Sequence, residues 1–105
     1  MTIIDKAAWQ IDGGVPKEQV VKHFNAVFMW LDKHEMLTVD GKEELEIGID
    51  EETSLNERHV TAEGFVFLEQ CYDEYLAIIA KDGYGSERDA EELERTYQKY
   101  LNKKN

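Results

Sequence analysis

The carboxylates Glu43, Glu44, Glu46, Asp50, Glu51, Glu52 and Glu57 are the residues whose type and crowding most suggest chemistry. Side chains gathered in this way can hold a hard cation, trade protons with a substrate, or present an anionic surface. A calcium-binding loop needs oxygen ligands at alternate positions, a central glycine and a terminal glutamate. Neither the residues from Asp40 onward nor those from Asp82 onward supply all three. What is left is surface: either a solvated acidic face, or carboxylates that meet the arginines and lysines of a partner. We take Glu43, Glu44, Glu46, Asp50, Glu51 and Glu52 as the expected partner-binding residues.

The remaining reactive side chains form no constellation. Cys71 with His59 or His23 has the composition of a nucleophile and its base, but Cys71 lies in mid-helix on an apolar stripe, where a thiol is ordinarily buried and inert. His34 and Glu35 stand near a helix end, and no second pair four residues away completes a metal site. The repeated Thr-x-acid-Gly of Thr38 to Gly41 and Thr61 to Gly64 lacks the glycine spacing and the lysine of a phosphate-cradling loop, and reads as two helix starts. Trp9, Trp30 and Tyr84 are either core residues or contact anchors. We therefore expect no catalytic residue, no metal ligand and no cofactor, and a protein that is not an enzyme.

Charge singles out the middle of the chain. The 105 residues carry 23 acidic and 12 basic side chains, a formal net charge of -11. Residues 1 to 34 hold four of each sign and residues 77 to 105 six of each, so the whole excess lies in residues 35 to 76, with 13 acidic and 2 basic. Such a surface repels nucleic acid and anionic membrane and attracts basic partners. A single cysteine excludes an internal disulfide and suggests a reducing, cytoplasmic setting. No apolar run approaches the length that spans a bilayer, and the N-terminus lacks the pattern of a secretory signal.

Length and pattern point to one all-α domain over residues 1 to 105, a small bundle of four or five helices. Residues 3 to 11 read as a short helix closed by Gly13 and Gly14. Pro16 suits the opening of a long helix to residue 33, with Val20, Phe24, Val27 and Leu31 on one arc and Met29 opposite. A short helix over residues 39 to 47 follows, although Leu45, Ile47 and Ile49 also alternate like an edge strand. Residues 50 to 58 read as a loop, with a turn of helix around Leu55. The helix over residues 62 to 81 is the most apolar, and it should pack against residues 17 to 33 as the central pair. Ser86 with Asp89 resembles a capping pair for a last helix that presents Leu93, Tyr97 and Leu101.

The size, the acidity and the Thr-Val-Asp-Gly and Thr-Ala-Glu-Gly helix starts within residues 37 to 76 resemble those of small phage and mobile-element proteins, the anti-CRISPR proteins among them. That resemblance implies a cytoplasmic inhibitor that blocks DNA binding by a Cas9-type nuclease, a basic nucleic-acid-binding protein. An immunity protein against a toxic nuclease belongs to the same class. A structural or regulatory adaptor, docking through exposed Met29, Trp30 and Tyr84, is the alternative.

Overall fold

Helix starts are set by side chains that occupy the unpaired amides of a first turn. Thr38 Oγ1 accepts from the Gly41 N–H at 3.3 Å, and Thr61 Oγ1 accepts from the Gly64 N–H at 3.2 Å. Pro16 precedes the 17-residue helix over Lys17–Lys33, where its missing N–H costs nothing. The structure, a computed structural model, describes residues 2–104, with Lys81 described through its backbone alone. In chain order it comprises β1 (Ile3–Lys6), α1 (Ala7–Asp12), α2 (Lys17–Lys33), α3 (Val39–Ile47), β2 (Ser54–Asn56), α4 (Ala62–Gly83) and α5 (Glu87–Lys104). The protein is thus a small helical bundle with one two-stranded ribbon.

Two expectations about local structure need correction. Residues 3 to 6 are strand rather than helix, and so are residues 54 to 56 where a loop was expected. β1 pairs antiparallel with β2, Asp5 opposite Leu55 and Lys6 opposite Ser54. Neither segment is long or apolar enough to announce a strand alone; each exists because the other satisfies its backbone, and Leu55 is then buried in the core. The ambiguity over residues 45 to 49 resolves as helix to Ile47, ended by Gly48 at φ 110°, a conformation that favours glycine.

The core stripe of α2 is as expected: Val20, Phe24, Val27, Phe28 and Leu31 are all buried. It meets α4 through large rings, with His23 stacked on Tyr75 at 6.0 Å and Trp30 tilted against Phe67 at 5.7 Å. Those rings hold the two backbones apart, so the closest helix pair is α4 with α5 rather than α2 with α4. α4 leaves helical geometry at Ala80 (φ 54°, ψ 178°), and the Arg88 guanidinium donates to the Ile78 carbonyl beside the break at 3.2 Å.

Candidate interaction surface and buried polar network

The two repeated helix starts lie back to back. Leu37 and Val60 form an antiparallel bridge, flanked by Thr38 N–H to His59 O at 3.0 Å and Thr61 N–H to Met36 O at 2.9 Å. Each threonine therefore caps its own helix with its hydroxyl while its amide ties that helix to the other start. The Thr38 hydroxyl also donates to Arg58 O at 2.5 Å. Gly41 presses against the His59 carbonyl, so close that a Cβ there would overlap it. The repeat is a structural joint, and its function is to seat α3.

α3 is seated by few residues. Gly41 is its one buried residue and Leu45 is half-buried, so the other side of the helix faces solvent. Val39, Glu43, Glu46 and Ile47, at positions i, i+4, i+7 and i+8, share that side. Val39 is 81% exposed and Ile47 75%, the two most exposed large apolar side chains among the described residues.

The six expected partner-binding carboxylates fall into two groups. Three are engaged within the molecule. Glu44 is half-buried and approaches His59 Nε2 at 3.4 Å, and Glu51 pairs with Lys17 at 3.0 Å. Asp50 shapes the turn into β2, accepting from the Glu52 N–H at 2.8 Å and the Thr53 hydroxyl at 3.3 Å. Burial holds the His59 pKa below its ordinary value although the Glu44 carboxylate pulls it upward. Glu43, Glu46 and the Glu52 side chain are exposed and have no side-chain partner among the described residues. Glu57, part of the same run, accepts the Thr2 N–H at 2.6 Å. The free acidic surface is therefore narrower than the sequence run, and it includes two aliphatic residues that the charge pattern did not pick out.

Of the aromatic anchors, Trp30 is 5% and Tyr84 7% exposed. Both are core residues. Trp30 donates to Glu94 Oε1 at 3.0 Å, and Tyr84 stacks on His23 at 4.6 Å. Met29 and Trp9 do face solvent, at 57% and 51%.

Cys71 is half-buried and opens onto a groove of about 730 Å³ between α4 and α5. Burial first, and Glu74 second, push its thiol pKa upward, away from a nucleophile's range. No histidine lines the groove. His23 is committed to Asp89 and His59 to Glu44, and His34 meets Glu94 at 2.7 Å. The groove carries Lys99, Lys103 and Lys104 against Glu63 and Glu74, which leaves it close to charge balance.

The strongest polar feature is one that the sequence reading did not single out. Asp5, His23, Tyr72, Tyr75 and Asp89 form one buried series. Asp5 accepts from the Lys6 N–H at 2.8 Å, from the Gln10 amide at 3.1 Å, and from the Tyr72 hydroxyl at 2.7 Å. The Tyr72 oxygen lies 3.2 Å from His23 Nε2. His23 Nδ1 meets Asp89 Oδ2 at 2.8 Å, and Asp89 also accepts from the Tyr75 hydroxyl and from the Gly85 N–H at 2.9 Å. Asp89 is thus a fully buried ligand of His23, not simply a cap at the mouth of α5. Burial raises the Asp5 pKa, and its hydrogen bonds from Tyr72 and Gln10 offset only part of that. Burial, reinforced by Asp5, raises Tyr72 well above its ordinary value. One signal was present in the sequence: His23 falls three residues after Val20 and four before Val27, within the core arc of α2.

Among the described residues no three His, Cys, Asp or Glu side chains converge as metal ligands, and no helix is long and apolar enough to cross a membrane. The chain matches no family model, and no curated protein or solved structure is similar to it.

Proposed function

We propose that this protein is a non-enzymatic inhibitor that docks the exposed side of α3 onto a basic surface of a nucleic-acid-acting protein. A Cas9-type nuclease, blocked as by an anti-CRISPR protein, is the form that the resemblance favours, and it carries a cytoplasmic setting with it. The observation that supports the reading is the composition of one unpartnered helix side: Glu43 and Glu46 without internal partners, between Val39 and Ile47 at 81% and 75% exposure. Carboxylates steer a basic partner and set its orientation, while aliphatic side chains buried at the contact supply affinity that salt does not screen. Glu52, on the turn beyond the helix, extends the anionic edge. Glu44, Asp50 and Glu51 contribute to the field while serving the fold. The adaptor alternative loses ground because Trp30 and Tyr84 are buried.

The test is a pull-down from host cells followed by titration of the captured partner with two variants. Changing Glu43, Glu46 and Glu52 to glutamine should weaken binding and flatten its salt dependence. Changing Val39 and Ile47 to serine should weaken binding at every salt concentration and leave the salt slope alone. Cys71→Ser should change neither. If both surface variants fold and bind with unchanged affinity, α3 is a solvated face and the proposal fails.

A further inference from the structure

The proton count along the buried series is restricted by its geometry. Tyr72 has one hydroxyl proton and stands between Asp5 Oδ2 and His23 Nε2. Asp89 receives the Tyr75 hydroxyl and the Gly85 N–H, and as a carboxylate it accepts from His23 Nδ1 as well. With the Tyr72 proton directed at Asp5, His23 Nε2 must carry its own hydrogen to meet the Tyr72 oxygen, and the ring is an imidazolium between two carboxylates. With the Tyr72 proton directed at His23, the hydrogen sits on Asp5 instead and the ring is neutral. The two arrangements differ by a shift of protons through one hydroxyl. Each contains one proton more than a neutral ring with two carboxylates, and each leaves Asp5, His23 and Asp89 with a single net negative charge.

Removing that proton to solvent leaves the series unsatisfiable. Two carboxylates then flank a neutral ring, and Tyr72 can serve only one neighbour, so two lone pairs face each other either at Asp5 or at His23. An unpaired polar contact in a buried site is costly, and an unbalanced charge is more so. No other cation relieves it. The groups facing His23 are Tyr72 and Tyr75 from α4, Tyr84 from the turn and Asp89 from α5, with Asp5 from β1 beyond the Tyr72 hydroxyl; Lys6 meets the series through its backbone N–H, and no lysine or arginine side chain bonds to it among the described residues.

We propose that Asp5, Tyr72, His23 and Asp89 are a proton-bound latch, in which one proton shared between Asp5 and His23 through the Tyr72 hydroxyl fastens β1 and the α4–α5 turn to α2, and whose loss with rising pH opens those seams. The series reaches across the fold: Asp5 is on β1, His23 on α2, Tyr72 on α4, and Asp89 on α5. β1 pairs with β2, and the Ala7 N–H donates to Thr53 O at 3.0 Å, so opening the β1 seam loosens the strand that follows α3. The upward shift of Asp5 has the matching sign. A carboxyl whose folded pKa lies above the unfolded value holds its proton more firmly when folded, and the stability this brings is lost as pH rises through the folded value.

Side-chain nitrogen and carboxyl NMR of the intact protein, from about pH 5 to about pH 9, tests the sharing directly. The His23 nitrogens and the Asp5 carboxyl should move in one common step; because the unfolded chain holds the same proton on its histidine up to about pH 6.5, the folding equilibrium constant should fall, by up to about tenfold per pH unit, between that pH and the step. Asp5→Asn imitates the protonated carboxyl and should flatten that fall. Tyr72→Phe removes the bridge and should split the common step in two. His34 and His59 are the same in all three proteins, so the differences isolate the series. Separate Asp5 and His23 titrations in the wild-type protein would overturn the proposal, as would a full pH slope retained in Asp5→Asn. If Asp5→Asn does not fold, the wild-type spectra decide alone.

Discussion

Alanine at Gly41 sets two effects of opposite sign against each other, and the structure says which one wins. In an exposed helix the change would be favourable by about 1 kcal/mol, because glycine is the poorest ordinary helix former. Here the new methyl would overlap the His59 carbonyl and lie 2.8 Å from Leu37 Cδ2. The carbonyl cannot retreat freely, since it accepts the Thr38 N–H at 3.0 Å in the joint between the two helix starts. Relief requires lifting α3, which strains the Thr38 hydroxyl's bond to Arg58 O and uncovers Leu45. Overpacking of this kind costs about 1–3 kcal/mol and each weakened hydrogen bond about 1 kcal/mol. After the helix gain is subtracted, the net loss is about 2–4 kcal/mol, a fall in Tm of roughly 8–16 °C. Gly64, at the same place in the repeat, is the milder case: its methyl would meet Met36 Cβ at 3.1 Å and Met36 Sδ and Thr61 Oγ1 at 3.4 Å, tight contacts that a shift of a few tenths of an ångström relieves, with no backbone carbonyl in the way. Gly64→Ala should stay within about 1 kcal/mol of wild type. Urea and thermal unfolding followed by far-ultraviolet circular dichroism measure both. A Gly41→Ala protein as stable as the wild type, or a Gly64→Ala protein equally damaged, would refute the reasoning.

Two further outcomes are open to the same assay. Phe24→Ala removes a fully buried ring that stands edge-on to His23 at 5.5 Å, and should cost about 3–5 kcal/mol; a loss below about 1 kcal/mol would mean that the core collapses around the cavity. Glu94 is held below the usual glutamate range chiefly by the Gln98 amide, then by Trp30 and His34. A depressed carboxylate contributes stability that is present above the unfolded pKa of 4.5 and lost as pH falls through the folded value. Tm should therefore decline less steeply with acid in Glu94→Gln than in the wild type, and identical acid profiles would show that the pair does not hold α5 to α2.

What the sequence disclosed, and what it hid, follows from the range of each interaction. α2, α3 and the body of α4 were legible because a helix satisfies its backbone locally and shows its buried face as a spacing of three and four. Thr38 and Thr61 were legible as caps for the same reason. Ile3–Lys6 and Ser54–Asn56 were not, because each becomes a strand only through a partner some fifty residues away. Trp30 is similar: its position on the flank of α2 left both outcomes open, and its burial depends on Glu94 and Tyr97 in α5.

Charge shows the same division more sharply. The flanking segments look neutral and the middle looks acidic, yet the two carboxylates buried most deeply, Asp5 and Asp89, both belong to the neutral flanks. The lysines and arginines that balance the flanks are not what places them: Asp5 and Asp89 are drawn inward to Tyr72, Tyr75 and His23, and half-buried Glu94 to Trp30 and His34. The middle segment has a large excess of acid and only Lys42 and Arg58 as cations, so Glu43, Glu46 and Glu52 are left facing solvent. Net charge therefore located the carboxylates left to solvent and concealed the charges that hold the fold. For that reason neutralising Glu43, Glu46 and Glu52 should leave stability level or slightly higher through reduced self-repulsion. Neutralising Asp89, which would leave the Gly85 N–H and His23 without their carboxylate, should unfold a large share of the molecules.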